Sequence, residues 1–261
     1  MGLAADDAGG GGVAVVCLPM LGMSRVGTAA AFGPALAGAP GVRAVYLDLP
    51  GHGDSPGAGA ADSQSVLEAV CGWIEQALDV PVLLAGSSYG GYLAAGVSRR
   101  RPDLVRGLLL VCPGVRAGPG ERDLPTGEPP AGPAGWLTGA PAGLRSHLDR
   151  GLGQRTPGVV AAVVAALSAG GPGDEHYQDA LTGGPGYALT DQDAEFVFAG
   201  PVAVVTGRND RIVGYTDQFR ALRHYPDATY SVLDHAGHYL PFERPELFRT
   251  LTQDWLRRCG P

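Results

Sequence analysis

Six short apolar runs, each about the length of a β-strand, recur along the chain. Their residues are apolar at consecutive positions, as in strands of a parallel sheet that helices cover on both faces. Between the runs, apolar residues recur three or four positions apart, which indicates helices. This alternation predicts an α/β fold with a doubly wound, mostly parallel sheet of about six strands. The runs are residues 13–18, 43–48, 80–85, 106–112, 201–206 and 229–233, and the helical segments are residues 26–36, 65–78, 91–100, 215–223 and 245–258.

One long segment, residues 114–200, interrupts this alternation. It begins with proline- and glycine-rich turns and continues with helix-like patterns at 142–152, 157–169 and 174–181. Residues 159–167 are apolar all round a helix, which predicts burial or contact with a dry pocket. We therefore expect three parts, namely a flexible acidic leader at residues 1–12, a core at 13–113 and 201–261, and a helical cap at 114–200.

The composition excludes several classes of partner and cofactor. Asp and Glu number 26 against 19 Arg and Lys, for a net charge of −7, so the chain lacks the basic surface that nucleic acids and anionic membranes require. No apolar stretch approaches the roughly 20 residues of a membrane span, and the acidic start does not resemble a signal peptide. The four scattered cysteines have no metal-ligand spacing and are typical of a reduced core. We expect a cytoplasmic protein without metal or cofactor, and the sequence is silent on its oligomeric state.

A strand, a sharp turn and a helix are predicted around the sequence Gly86-Ser-Ser-Tyr-Gly-Gly91, which contains the pattern G-x-S-x-G. Such a turn strains its central residue and requires small residues two positions away on each side. Centred on Ser88, both of these neighbours are glycine, whereas centred on Ser87 one of them would be the bulky Tyr89. Ser88 is therefore the candidate nucleophile.

A serine hydroxyl needs a base to take its proton, and the base needs a group that orients it. His238 follows the last predicted strand and should lie at the same sheet edge as the serine, with His235 as the alternative. Asp210 follows the preceding strand and is the candidate orienting carboxylate. Asp217 and Asp234 are the alternatives for that role.

Four motifs in this order resemble the α/β-hydrolases, in the branch of cap-bearing esterases, lyases and C–C hydrolases. They are Leu-Asp-Leu-Pro-Gly-His-Gly-Asp-Ser at 47–55, the turn around Ser88, Gly-Arg-Asn-Asp at 207–210, and Ala-Gly-His at 236–238 followed by Pro-Phe-Glu-Arg-Pro at 241–245. The resemblance spans residues 13–258 apart from the insertion. It implies a triad of Ser88, His238 and Asp210 and an acyl-enzyme intermediate. It also implies an oxyanion hole that combines the Tyr89 N–H with an N–H of the loop after the first predicted strand.

That loop departs from the family pattern, because Pro19 and Met20 stand where relatives usually carry His-Gly. In this alignment Leu21 supplies the second oxyanion N–H, and a shift of one residue would assign it to Met20. We expect Met20 and Met23 to line the acyl pocket, with ordinary packing under the loop as the alternative. Relatives also open with a β-hairpin, for which the leading residues leave little room.

These residues predict a serine hydrolase that acts on an ester, thioester or lactone of a small apolar metabolite, as in a biosynthetic tailoring step. The cap would shape the pocket and exclude water. Two alternatives stay open because fold does not fix reaction. One is a cofactor-free lyase that uses the same triad for an elimination or a retro-aldol-like step, which the altered loop favours. The other is a non-catalytic ligand-binding module.

Overall fold

The computed structural model describes residues 2–57 and 59–260, and within them seven strands form one sheet in the order β1-β3-β2-β4-β5-β6-β7. All neighbouring pairs are parallel except β1 with β3. The predicted doubly wound, mostly parallel sheet is therefore confirmed, with seven strands in place of about six. The strands are β1 (Ala5–Asp7), β2 (Val13–Leu18), β3 (Val42–Leu47), β4 (Val82–Ser87), β5 (Val105–Val111), β6 (Val202–Gly207) and β7 (Ala228–Leu233).

Helices lie on both faces of the sheet and in the segment between β5 and β6. The longest have 15 residues, and none in the described part of the chain is long and apolar enough to cross a membrane. They are α1 (Arg25–Leu36), α2 (Ser63–Ala77), α3 (Tyr89–Arg100), α4 (Ala142–Gly151), α5 (Pro157–Ser168), α6 (Glu175–Gly183), α7 (Thr216–Arg220), α8 (Leu240–Glu243) and α9 (Pro245–Cys259). Short 3-10 helices lie at Pro102–Leu104, Pro119–Glu121, Pro185–Tyr187 and Ala221–His224.

The additional strand, β1, lies inside the segment that the sequence predicts to be a flexible leader. It pairs with the end of β3, with Ala5 opposite Leu47. The acidic residues that suggest a solvated leader form ion pairs with arginines here. Asp6 pairs with Arg25 at 3.0 Å, and Asp7 pairs with Arg43. These pairings hold a segment that has no apolar pattern of its own. Residues 1 and 261, the outer ends of the predicted leader and core, lie outside the described residues.

Both faces of the central strands are buried, which explains their unbroken apolar runs. In β4, Leu84 packs into the core under α2 and α3, and the adjacent Leu83 packs into the core under α1 and α9. Successive side chains of a strand point to opposite faces, so both sets must be apolar. Because β2, β4, β6 and β7 run parallel, their carboxyl ends lie at the same edge of the sheet, and so do the loops that follow them.

Residues 114–200 contain α4, α5 and α6, close to the three predicted helices, and no strand among these described residues. Helix α5 corrects one expectation, because only one side of it is buried, at Val160, Val163 and Ala166. Within the apolar stretch 159–167 the exposed positions are Ala161, Ala162 and Ala165, and alanine combines a small side chain with high helix propensity. The buried side packs with Met20 and Met23 of the loop after β2.

Candidate active site

Ser88 lies at the turn between β4 and α3 and adopts φ 54° and ψ −116°. A positive φ is strained for serine, and here the N–H of Ser88 is held by the Val111 carbonyl at 3.0 Å. The turn also brings Gly86 against the backbone of Gly90, so that a Cβ on Gly86 would collide with it. The structure thus gives the physical reason for the small neighbours that identified Ser88 in the sequence.

Three of the predicted site residues come together at this turn. His238 Nε2 lies 2.8 Å from Ser88 Oγ, and His238 Nδ1 lies 2.8 Å from Asp210 Oδ2. Because an ionised carboxylate only accepts hydrogen bonds, the imidazole proton belongs on Nδ1, and Nε2 is left to accept from the serine hydroxyl. Asp210 is fully buried, and its Oδ1 accepts the backbone N–H groups of Ile212 at 2.8 Å and Val213 at 3.0 Å.

The alternatives from the sequence are engaged elsewhere. His235 is exposed, and Asp234 beside it pairs with Arg244 at 2.7 Å. Asp217 accepts a backbone N–H at 2.9 Å and pairs with Arg220 at 2.9 Å. In the described part of the chain no group of three His, Cys, Asp or Glu side chains could hold a metal ion.

Glu243 lies in the Pro-Phe-Glu-Arg-Pro motif, from which no role for it is predicted, and it fixes the loop that carries His238. One oxygen accepts the Gly237 N–H at 2.8 Å, and the other accepts the N–H groups of Gly153 and Gln154 at 2.7 Å each. Burial raises the pKa of this carboxyl to about 7, although the three backbone N–H groups lower it in part. Glu243 therefore joins the histidine loop to the connection between α4 and α5.

The two predicted oxyanion donors have N–H groups that are free to bind a ligand. Within residues 2–57 and 59–260, neither the Leu21 nor the Tyr89 backbone N–H donates to a protein acceptor, and the Met20 N–H is equally free. Tyr89 is the first residue of α3, where a helix has no internal acceptor for this group. The loop after β2 thus offers two candidate donors beside the one at Tyr89.

A cavity of about 180 Å³ opens at Ser88 and His238, which is small beside the roughly 300–1,000 Å³ of drug-sized pockets. Met20 and Leu21 line it, whereas Met23 is not in its lining and is buried in an apolar cluster with Met20. The remaining described lining is Tyr89, Tyr92, Gly114, Arg116, Ala117, Arg122, His147, Tyr187, Ile212 and Val213.

The predicted cap supplies the polar side chains of this cavity that sequence reasoning missed, namely Arg116, Arg122, His147 and Tyr187. Burial, together with the nearby His238 and Arg150, lowers the pKa of His147 to about 4, so it is neutral at pH 7. No periodicity or motif in the sequence distinguishes these residues from their surface neighbours, because only the folded cap brings them to Ser88.

Comparison with known proteins identifies the family of this chain. Residues 11–251 match the model of the alpha/beta hydrolase family. A pimeloyl-[acyl-carrier protein] methyl ester esterase of Neisseria meningitidis is 30% identical over 80% of this chain and 81% of that protein.

Solved structures of low identity share the fold. An alpha/beta superfamily hydrolase of Oenococcus oeni has a TM-score of 0.83 and 24% identity, with 99% of this chain and 97% of that one covered. An enol-lactonase of Burkholderia xenovorans has a TM-score of 0.72 and 19% identity, with 98% of this chain and 96% of that one covered. The chain belongs to the alpha/beta hydrolase family of enzymes.

Proposed function

We propose that this protein is a serine hydrolase that cleaves an ester, thioester or lactone bond of a small molecule, with Ser88 as nucleophile, His238 as general base and Asp210 as the group that orients it. The observation that carries the proposal is the unbroken hydrogen-bond chain from Ser88 Oγ through both nitrogens of His238 to Asp210, with both contacts at 2.8 Å. Nucleophile, base and orienting group in this arrangement are the requirements of acyl transfer through a covalent intermediate.

In this mechanism Ser88 Oγ attacks the substrate carbonyl while His238 Nε2 takes the proton of the serine hydroxyl. Asp210 stabilises the imidazolium that forms, and the N–H groups of Tyr89 and Leu21 bind the negative charge that develops on the carbonyl oxygen. His238 then donates the proton to the departing alcohol or thiol, which leaves an acyl group on Ser88. A water molecule, deprotonated by His238, attacks this acyl-enzyme and releases the acid.

The cavity and the relatives support a small oxygen or sulfur ester. The cavity of about 180 Å³ suits a short acyl chain, and residues 114–200 would act as the cap that keeps water from it. The neisserial relative is named as a methyl ester esterase, and one structural neighbour is an enol-lactonase. The free N–H groups at Tyr89 and Leu21 favour acyl transfer over the lyase and ligand-binding alternatives, which do not require them.

A fluorophosphonate probe and a short activated ester test this proposal together. We expect mass spectrometry to find the probe on Ser88 and p-nitrophenyl acetate to give a burst of p-nitrophenolate, because deacylation is expected to be slower than acylation by this activated ester. Ser88→Ala should lose both signals. The matched control is Ser87→Ala, because Ser87 is buried beside Ser88 and its hydroxyl has no hydrogen-bond partner in the described structure. Labelling at another residue, or undiminished turnover by Ser88→Ala, would contradict the proposal.

A further inference from the structure

Arg122 places a positive charge in the wall of the cavity that contains Ser88. Its guanidinium donates to three backbone carbonyls, those of Arg116 at 3.0 Å, Ala117 at 2.8 Å and Ile212 at 2.9 Å. A guanidinium has five N–H donors, so these bonds leave one N–H on each terminal nitrogen. The side chain is therefore fixed in place while part of its donor capacity stays available.

The charge of Arg122 has no counter-ion in the described residues, since none of their ion pairs includes it. The other arginine of the cavity wall, Arg116, pairs with Asp193. Carbonyl and hydroxyl oxygens satisfy hydrogen bonds but carry no full negative charge, so a half-buried guanidinium without a carboxylate partner remains a site for an anion.

The surroundings of Arg122 keep this positive charge uncompensated. The described lining of the cavity contains no Asp or Glu, although the chain as a whole has a net charge of −7. Burial raises the pKa of the Tyr187 hydroxyl on the same wall, and the charge of Arg122 together with a hydrogen bond from its guanidinium partly lowers it. A local positive charge in a small cavity of an acidic protein attracts an anionic substrate group.

We infer that the substrate carries a carboxylate that binds Arg122 while its ester, thioester or lactone carbonyl lies at Ser88. This inference rests on the proposed function and makes Arg122 a specificity-determining residue. A carboxylate fits the remaining donors because it is planar and can accept from both terminal nitrogens of a guanidinium. The substrate class is thus a short acyl ester whose acyl chain ends in a carboxylate, such as the half-ester of a short dicarboxylic acid.

Two matched substrates test this inference. Monomethyl glutarate carries the carboxylate, and methyl glutaramate replaces it with an uncharged amide of almost the same shape. Succinyl and adipoyl homologues of both test the chain length. We expect the wild-type kcat/KM to favour the charged ester by about ten- to a hundredfold, the ratio that a charge-assisted hydrogen bond supplies.

Arg122→Gln should abolish this preference, because the KM for the charged ester should rise much more than the KM for the neutral ester. A merely structural role would lower the turnover of both esters equally. The matched control is Arg116→Gln, which removes an arginine of the same wall that already has a carboxylate partner and should keep the preference. A preference that survives Arg122→Gln, or is lost equally in Arg116→Gln, overturns the inference.

Inhibition of the wild type gives a measurement that does not depend on any variant folding. Glutarate should inhibit p-nitrophenyl acetate hydrolysis competitively and at least tenfold more strongly than glutaramide. Equal inhibition, or inhibition by inorganic phosphate alone, overturns the assignment of a carboxylate. Failure of the proposed hydrolase itself gives a different result, namely no turnover of p-nitrophenyl acetate and no probe on Ser88.

Discussion

Replacing Asp210 with asparagine tests the role of the orienting carboxylate with little change in shape. The backbone N–H groups of Ile212 and Val213 both donate to Oδ1, so the asparagine carbonyl must occupy that position and its NH2 must face His238. A donor then meets Nδ1, and the imidazole responds by carrying its proton on Nε2. In that tautomer His238 donates toward Ser88 and cannot take the serine proton.

The expected loss of kcat is about 10⁴-fold, the effect of the corresponding change in serine-protease triads. This loss equals about 5 kcal/mol of transition-state stabilisation. The free energy of unfolding should change far less than this, because both hydrogen bonds to the oxygen at the Oδ1 position survive and no cavity forms.

The assay is p-nitrophenyl acetate turnover, with thermal unfolding as the check on folding. Asp217→Asn is the matched control, since Asp217 is also a buried carboxylate that accepts a backbone N–H, but its partner is Arg220. We expect this control to keep its activity. An Asp210→Asn variant within tenfold of the wild type, or an equal loss in Asp217→Asn, would refute the reasoning.

Three further predictions concern the supports of the site. Glu243→Ala leaves three backbone N–H groups without an acceptor, which should lower the free energy of unfolding in urea by at least about 3 kcal/mol, at about 1–3 kcal/mol for each group. Because the folded pKa of Glu243 is raised to about 7, its stabilising contribution is complete below about pH 4.5 and is lost as the pH rises through 7. Across that range, the plots of unfolding free energy against pH for the wild type and for Glu243→Gln should therefore differ in slope by up to about 1.4 kcal/mol per pH unit. Parallel plots would contradict this prediction. Gly90→Ala places a Cβ against the carbonyls of Leu18 and Pro19, so we expect a lower melting temperature and loss of ester turnover, in contrast to the exposed Gly143→Ala.

The sheet and the turn at Ser88 are predictable because local sequence determines them. A strand buried on both faces must be apolar at consecutive positions, and the close approach of Gly86 to Gly90 leaves no space for a side chain. Chain order and the shared sheet edge predict a histidine near Ser88 but leave His235 as an alternative to His238, and the structure distinguishes them because His235 is exposed whereas His238 Nε2 contacts Ser88 Oγ.

Features that depend on distant partners are not predictable in this way. Strand β1 consists of two aspartates and an alanine, and its order comes from pairing with β3 and with Arg25 and Arg43. Arg122 and Glu243 look like ordinary surface charges in the sequence. Their roles appear only when Ile212 lies against the first and Gly153 against the second.

The site therefore divides into two parts that the sequence constrains differently. Ser88 and Asp210 come from the loops that follow strands of the sheet, whereas Arg122 and His147, which line the cavity, come from the segment between β5 and β6. The two parts meet at the loop of His238, whose own N–H donates to the Gly151 carbonyl at 2.6 Å at the end of α4. Changes to the cavity wall should accordingly alter substrate preference with kcat retained, whereas changes near Gly151 should move the base itself and lower kcat for every substrate.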